Sequence, residues 1–300
     1  MYELAINIYH RWNAALFLAL KAISTPLAMG CTVVLKASEQ SPRTHHYLVS
    51  LFYKAGFPTG SINVIQASRE DAAAVTEAAI SHPGIRKVEF IGSAGVGRHI
   101  ASLAGKYLKP VMFELGGKNS AIVLEDADLH LAAQSAVMGA LVHHGQVCFA
   151  VDVVIVQRSI YPQLLEELKA AMGSFPTHPA IAAAGPARTK KLVEEAVSQG
   201  AEILYGENEL MNDYTLHPMI LGNVHPESVI FDEESFGPTM YIQVVDTDEQ
   251  TIAFANSSQY GLGSAVFSKD IGRALQIAKQ IEAGQTNINW PYGAGSVDGE

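Results

Sequence analysis

From Val33 to Pro58 the chain reads VVLKASEQSPRTHHYLVSLFYKAGFP, and the change of period inside that stretch decides the fold. Val33-Val34-Leu35 is a short apolar run closed by Lys36, the pattern of a strand buried on both faces. Tyr47, Leu48, Leu51, Phe52 and Ala55 then recur at helical spacing until Gly56-Phe57-Pro58 stops the helix. Working outward, residues 62–65 read as a strand, 71–79 as an Ala-rich helix and 88–91 as a strand. Val96, Ile100, Leu103 and Tyr107 mark a further helix before a strand at 110–114. Four short apolar strands separated by amphipathic helices predict an α/β domain with a doubly wound parallel sheet, because each right-handed crossover must cover a sheet face.

Past Gly116-Gly117 the alternation resumes with a strand at 122–124, a helix after Asp128, a strand at 153–156 and a helix bearing Leu164, Leu165, Leu168 and Met172. Pro176, Pro179 and Pro186 mark a loop, and later helices carry Leu192, Val193, Ala196 and Val197, then Ile271, Leu275, Ala278 and Ile281. A second α/β domain follows, giving domains at 1–116 and 117–300. The paired glycines are the expected hinge, since they permit a sharp reversal.

Composition narrows the function classes. The 300 residues are 48% hydrophobic and 17% charged, enough to bury one or two cores, which excludes disorder. Twenty Lys and Arg against thirty Asp and Glu leave a charge of −10, so neither nucleic acid nor an anionic membrane surface is an expected partner. Cys31 and Cys148 are too few for a disulfide framework and fit a reducing, cytoplasmic compartment. The longest apolar stretch, 14–29, is broken by Lys21, Ser24, Thr25 and Pro26 and does not read as a membrane span. Glu3 and the lack of a cleavage site argue against a signal peptide.

Several residues are candidates for chemistry, each with a plainer alternative. Cys148 closes His144-Gly145-Gln146-Val147-Cys148, a glycine-containing turn whose amides would lower a thiol's pKa; a buried structural cysteine is the alternative. Glu114 falls at a strand end before the double glycine, where loops gather catalytic groups, or is an ordinary ion-pair partner. The Asn13 amide suits a developing oxyanion as well as it suits a helix cap. Gly92-Ser93-Ala94-Gly95-Val96-Gly97 opens a helix after a strand and suits a phosphate, although its spacing departs from GxGxxG. His143 and His144 do not read as a metal site, because no zinc spacing surrounds them and adjacent residues on a helix point in different directions.

The ordered series is more specific than its parts. It comprises Trp12-Asn13, Pro26-Leu27-Ala28, Lys36-Ala37-Ser38-Glu39, Gly56-Phe57-Pro58, Phe90-x-Gly92-Ser93, Glu114-Leu115-Gly116-Gly117-Lys118, Gly145-Gln146-x-Cys148, Glu233-Glu234-Ser235-Phe236-Gly237-Pro238 and Ile288-Asn289. This series resembles the aldehyde dehydrogenase superfamily over nearly the whole sequence, and the 34 positions from Glu114 to Cys148 agree with it. The resemblance implies a Rossmann-like NAD-binding domain at 1–116 and a catalytic domain at 117–300. It implies Cys148 as nucleophile, Asn13 with the Cys148 N–H as oxyanion donors, and Glu114 as the base that activates water. Lys36 and Glu39 match residues on the adenosine ribose, Gly92 and Ser93 a pyrophosphate contact, and Glu234 with Phe236 a clamp on the nicotinamide ribose. A carboxylate at Glu39 repels a 2′-phosphate, so NAD is expected over NADP. The substrate implied is a small aldehyde, and Asn13-Ala14 and Lys36-Ala37-Ser38-Glu39 are similar to members acting on aromatic aldehydes of the salicylaldehyde kind.

The sequence also departs from the family. Its chains normally begin earlier, with helices on the coenzyme domain and part of a subunit-bridging arm. They run on past Asp298-Gly299-Glu300 to a final strand of the oligomerisation sheet, so the resemblance is to a truncated member. The interval from Cys148 to Glu234 is also short, the deficit falling near 173–184. A competent dehydrogenase assembling as a homo-oligomer, a binding or scaffolding protein with little redox activity, and a Cys148-dependent ester hydrolase are the readings left open.

Overall fold

In the computed structural model, which describes residues 12–290 and the backbone of a strand at 5–9, the chain forms two units, Met1–Leu115 and Gly116–Glu300. The first runs β1 (Ala5–Tyr9), α1 (Ala15–Ala28), β2 (Thr32–Lys36), α2 (Pro42–Lys54), β3 (Ile62–Ile65), α3 (Ala72–Ser81), β4 (Ile85–Ile91), α4 (Ala94–Lys106) and β5 (Val111–Glu114). All five strands are parallel, in the order β3-β2-β1-β4-β5. Neighbouring residues of β4 face opposite ways. Val88 and Phe90 pack with Ile80 of α3 and Ile100 of α4, whereas Ile91 joins Val33, Leu35, Ile23 of α1 and Leu48 of α2. Helices thus cover both faces. The periodicity predicts four strands here and the structure has five. The additional one, β1, is the central strand.

The second unit runs β6 (Asn119–Val123), α5 (Leu129–Leu141), β7 (Val151–Gln157), α6 (Tyr161–Ser174), α7 (Ala184–Ser198), β8 (Glu202–Tyr205), β9 (Leu210–Asn212), β10 (Thr215–Leu216) and β11 (Met219–Gly222). It continues with α8 (Val229–Asp232), β12 (Thr239–Val245), α9 (Asp248–Ala255), β13 (Gly263–Phe267), α10 (Ile271–Ala278) and β14 (Gln285–Ile288). Its main sheet is β14-β13-β6-β7-β12-β11-β8, parallel except for β8 at one edge, with β9 and β10 as a separate pair. Alternation again sets the layers: Val154, Val156, Met240 and Phe267 pack with α5 and α6. Val153, Ile155, Tyr241 and Val266 pack with α7 and α10. Pro176 and Pro179 lie in a connecting segment, but Pro186 does not. It occupies the first turn of α7, where a missing N–H leaves no helical hydrogen bond unmade.

Candidate active site

In the first unit, the candidate residues follow strand ends. Asn13 is buried on the connection from β1 to α1, Lys36 ends β2, Glu39 is exposed three residues later, Gly92 and Ser93 follow β4, and Glu114 ends β5. The strand order reverses direction between β1 and β4, and the carboxyl edge at such a switch point is where open α/β sheets bind ligands. Ser93 caps α4, its hydroxyl accepting from the Val96 N–H at 3.5 Å. A Cβ at Gly92 would stand 2.2 Å from the Phe90 ring, and one at Gly97 would stand 2.8 Å from Leu115, which seats α4 on the sheet. Gly95, by contrast, faces open space in the first turn of α4. Despite the irregular spacing, one glycine makes the tight exit from the strand, one leaves the helix N-terminus bare for an anion and one packs the helix. These features fit a dinucleotide's phosphates.

In the second unit, the candidate residues precede strands. Gly116 and Gly117 lead into β6, Cys148 lies three residues before β7, and Glu234 and Phe236 lie on the approach to β12. The three strands are neighbours, so their amino ends gather these residues. Neither Gly116 nor Gly117 has a positive φ, and the boundary between the two units falls just before Gly116. They are glycines because of close approach: a Cβ at Gly116 would stand 2.4 Å from Glu234 Oε2. At Gly117 it would meet Asn119 Oδ1 at 2.5 Å and the Cys148 carbonyl at 2.8 Å. The Glu234 carboxylate accepts from the Gly117 N–H at 3.5 Å.

Cys148 is 5% exposed and in no disulfide. His143 and His144 are not on a helix; with Gly145 they make three successive left-handed residues, φ 54°, 58° and 70°. That conformation costs roughly 1–2 kcal/mol at each histidine. The turn is held by specific contacts. Gly145 sits so close to the Gly237 carbonyl that a Cβ would lie 2.1 Å away, and Gln146 Oε1 accepts from the Ile181 N–H at 3.0 Å. His144, 1% exposed, accepts from the Leu216 N–H through Nε2 at 3.3 Å and hydrogen-bonds the His178 backbone. Burial pushes its pKa down to about 4, so the ring is neutral at physiological pH. Among the described residues no cluster of three His, Cys, Asp or Glu side chains is placed to hold a metal, and no helix is long and apolar enough to cross a membrane.

Several supporting residues have no role assigned from the sequence. Lys118 and Asp152 form a buried ion pair at 3.2 Å, their side chains 2% and 3% exposed. Lys118 Nζ also donates to the Glu233 carbonyl at 3.0 Å, and the Ser235 N–H donates to Asp152 at 3.2 Å. From the other side Arg188 donates to the Glu234 and Ser235 carbonyls at 3.2 and 2.9 Å, and Thr189 to Ser235 at 3.2 Å. Phe236 takes a left-handed φ of 51° just beyond this clamp. One signal was available: Asp152 interrupts an otherwise apolar strand, and a buried carboxylate demands a partner. Arg188 and Thr189 carry no such mark, because they reach Ser235 only through the fold.

A parallel sheet of dinucleotide-binding topology and a second α/β unit that presents a buried cysteine on a strained turn define a class of two-unit α/β proteins. The aldehyde dehydrogenase family model matches residues 7–298, and the chain belongs to that family. It is 38% identical over 290 residues to vanillin dehydrogenase of Pseudomonas fluorescens, covering 93% of this chain and 60% of that protein. The crystal structure of salicylaldehyde dehydrogenase from Pseudomonas putida G7, complexed with salicylaldehyde, superposes with a TM-score of 0.92 at 33% identity, covering 96% of this chain and 61% of that one. The NAD+ complex of an aldehyde dehydrogenase from Bacillus cereus gives a TM-score of 0.89 at 32% identity, covering 95% and 60%. The chain thus spans about 60% of the length of the curated relatives it matches.

Proposed function

We propose that this chain oxidises an aldehyde, of aromatic type, to the carboxylic acid with NAD as hydride acceptor. The observation that carries the reading is the turn before Cys148. Strained backbone of this kind clusters at functional sites, and an inert core thiol gives no reason for it. The proposed roles divide among the chain's own residues. Cys148 as thiolate bonds to the aldehyde carbon, while the Asn13 amide and the Cys148 N–H donate to the oxyanion. Lys36, Glu39, Gly92 and Ser93 hold the adenosine and diphosphate portions, and Glu234 with Phe236 the nicotinamide ribose. A bound nicotinamide supplies the acceptor for the hydride. Glu114 then draws a proton from water, which attacks the Cys148 thioester and releases the acid. The carboxylate of Glu39, three residues past the end of β2, favours NAD over NADP, and the vanillin and salicylaldehyde relatives support an aromatic substrate.

The test is NADH absorbance from purified protein with NAD and a panel of aliphatic and aromatic aldehydes, beside Cys148→Ala. The variant loses turnover and keeps dinucleotide binding by calorimetry. Equal rates in parent and variant, or no signal from folded parent, would overturn the assignment.

A further inference from the structure

We infer that Asn119 is a positioning residue for Cys148, its carboxamide fixing the backbone from which the thiol projects; the inference rests on Cys148 being the nucleophile proposed above. Asn119 begins β6, paired in register with Val151 of β7, and is 1% exposed. Its Nδ2 donates to the carbonyl of Cys148 at 3.0 Å and to that of Ala150 at 2.9 Å, so both amide protons are committed and bracket the exit of the turn. The reversed amide would set an oxygen against two carbonyl oxygens, which fixes the orientation. Asn119 Oδ1 has no hydrogen-bond partner among the described residues. A buried acceptor in that state is unfavourable, and a shape-matched aliphatic side chain would avoid it. The donor duty is what the asparagine adds.

Two carbonyls held by one rigid amide fix the Cys148–Phe149 and Ala150–Val151 peptide planes, which restrains ψ at Cys148 and the backbone from which its side chain projects. His144 and Gln146 hold the entry of the same turn, tied to Leu216 and Ile181. Asn119 holds its exit, and Gly117 must be bare because a Cβ would strike the same carboxamide. The second glycine of the pair and the asparagine two residues later thus act together on Cys148.

The experiment compares the parent with Asn119→Ala and with Asn119→Ser, which retains one donor and covers the case of an alanine variant that does not fold. Hydrogen exchange of residues 142–150, read by mass spectrometry, quickens about tenfold in Asn119→Ala and less in Asn119→Ser, while α5 and β7 keep their protection. Aldehyde turnover per folded molecule falls about tenfold or more, with the KM for NAD unchanged. Parent-like exchange in a folded variant overturns the inference, as does a lowered Tm with parent-like kcat. A parent without Cys148-dependent turnover would instead count against the proposed function, and the exchange measurement alone then decides the role of Asn119.

Discussion

The first sheet keeps its candidate residues on the carboxyl edge and the second keeps them on the amino edge, and the two edges are built differently. On the first, Lys36 and Glu39 make no side-chain hydrogen bond or ion pair among the described residues, and Gly95 leaves a helix N-terminus bare. On the second, Lys118, Asp152, Arg188, Thr189 and Asn119 interlock the segments that carry Cys148 and Glu234. The carboxyl edge of the second sheet, the usual ligand edge, is closed instead. Arg273 pairs with Asp248 and Glu125, Arg158 with Asp246, and Asp126 accepts from Ser268 and the Asp270 N–H. A surface that binds an exchangeable ligand leaves polar groups available, whereas one that aims a nucleophile needs its backbone fixed. Substitutions at Lys36 and Glu39 should therefore change binding with little effect on stability, and those on the second edge should change both.

The sharpest test is Glu114→Gln. Turnover falls roughly 100-fold or more and acyl-enzyme accumulates by intact mass, with the melting temperature near the parent's. Normal acid release with only unmodified enzyme would remove Glu114 from its role. Next, on the second edge, His144 stays neutral when folded at a pH where the unfolded chain would protonate it. Stability is complete above pH 6.5 and declines as pH falls toward about 4, by about 3 kcal/mol. Urea unfolding across that range checks it, and His144→Gln flattens the profile; an unchanged slope in the variant would place the acid sensitivity elsewhere. Gly117→Ala, forcing a methyl against Asn119 and the Cys148 carbonyl, costs about 1–3 kcal/mol together with activity, and a variant as stable as the parent would break the picture of a crowded edge. The smallest effect is expected at exposed Glu39. Its replacement by Ala shifts the ratio of NADP to NAD affinity by roughly tenfold in calorimetry without moving the melting temperature.

Much of this was legible in the chain. Buried strands such as Val33–Leu35 and helices with a single apolar face, such as α2, announce themselves through period, and the paired glycines and Cys148 stand out by residue type. Other features did not follow from that reading, among them seven of the nine described strands of the second unit, β8 to β14, which it left unassigned. The central strand β1 goes unmarked, Pro186 sits in a helix because only its position in the first turn matters, and His143 and His144 leave the helix for a left-handed turn. At Gly116 and Gly117 the tertiary structure adds a demand for space, set by Glu234 and Asn119.

By itself, the sequence determined the α/β class, the family and the candidate residues for the proposed chemistry, because these depend on local period and on side-chain type in order along the chain. Only the tertiary structure decided which edge of each sheet those residues occupy and what holds them there. Asn119 to Cys148, Arg188 to Ser235 and Lys118 to Asp152 are contacts between residues 29 to 47 positions apart, made by strand order and register, which no local pattern encodes.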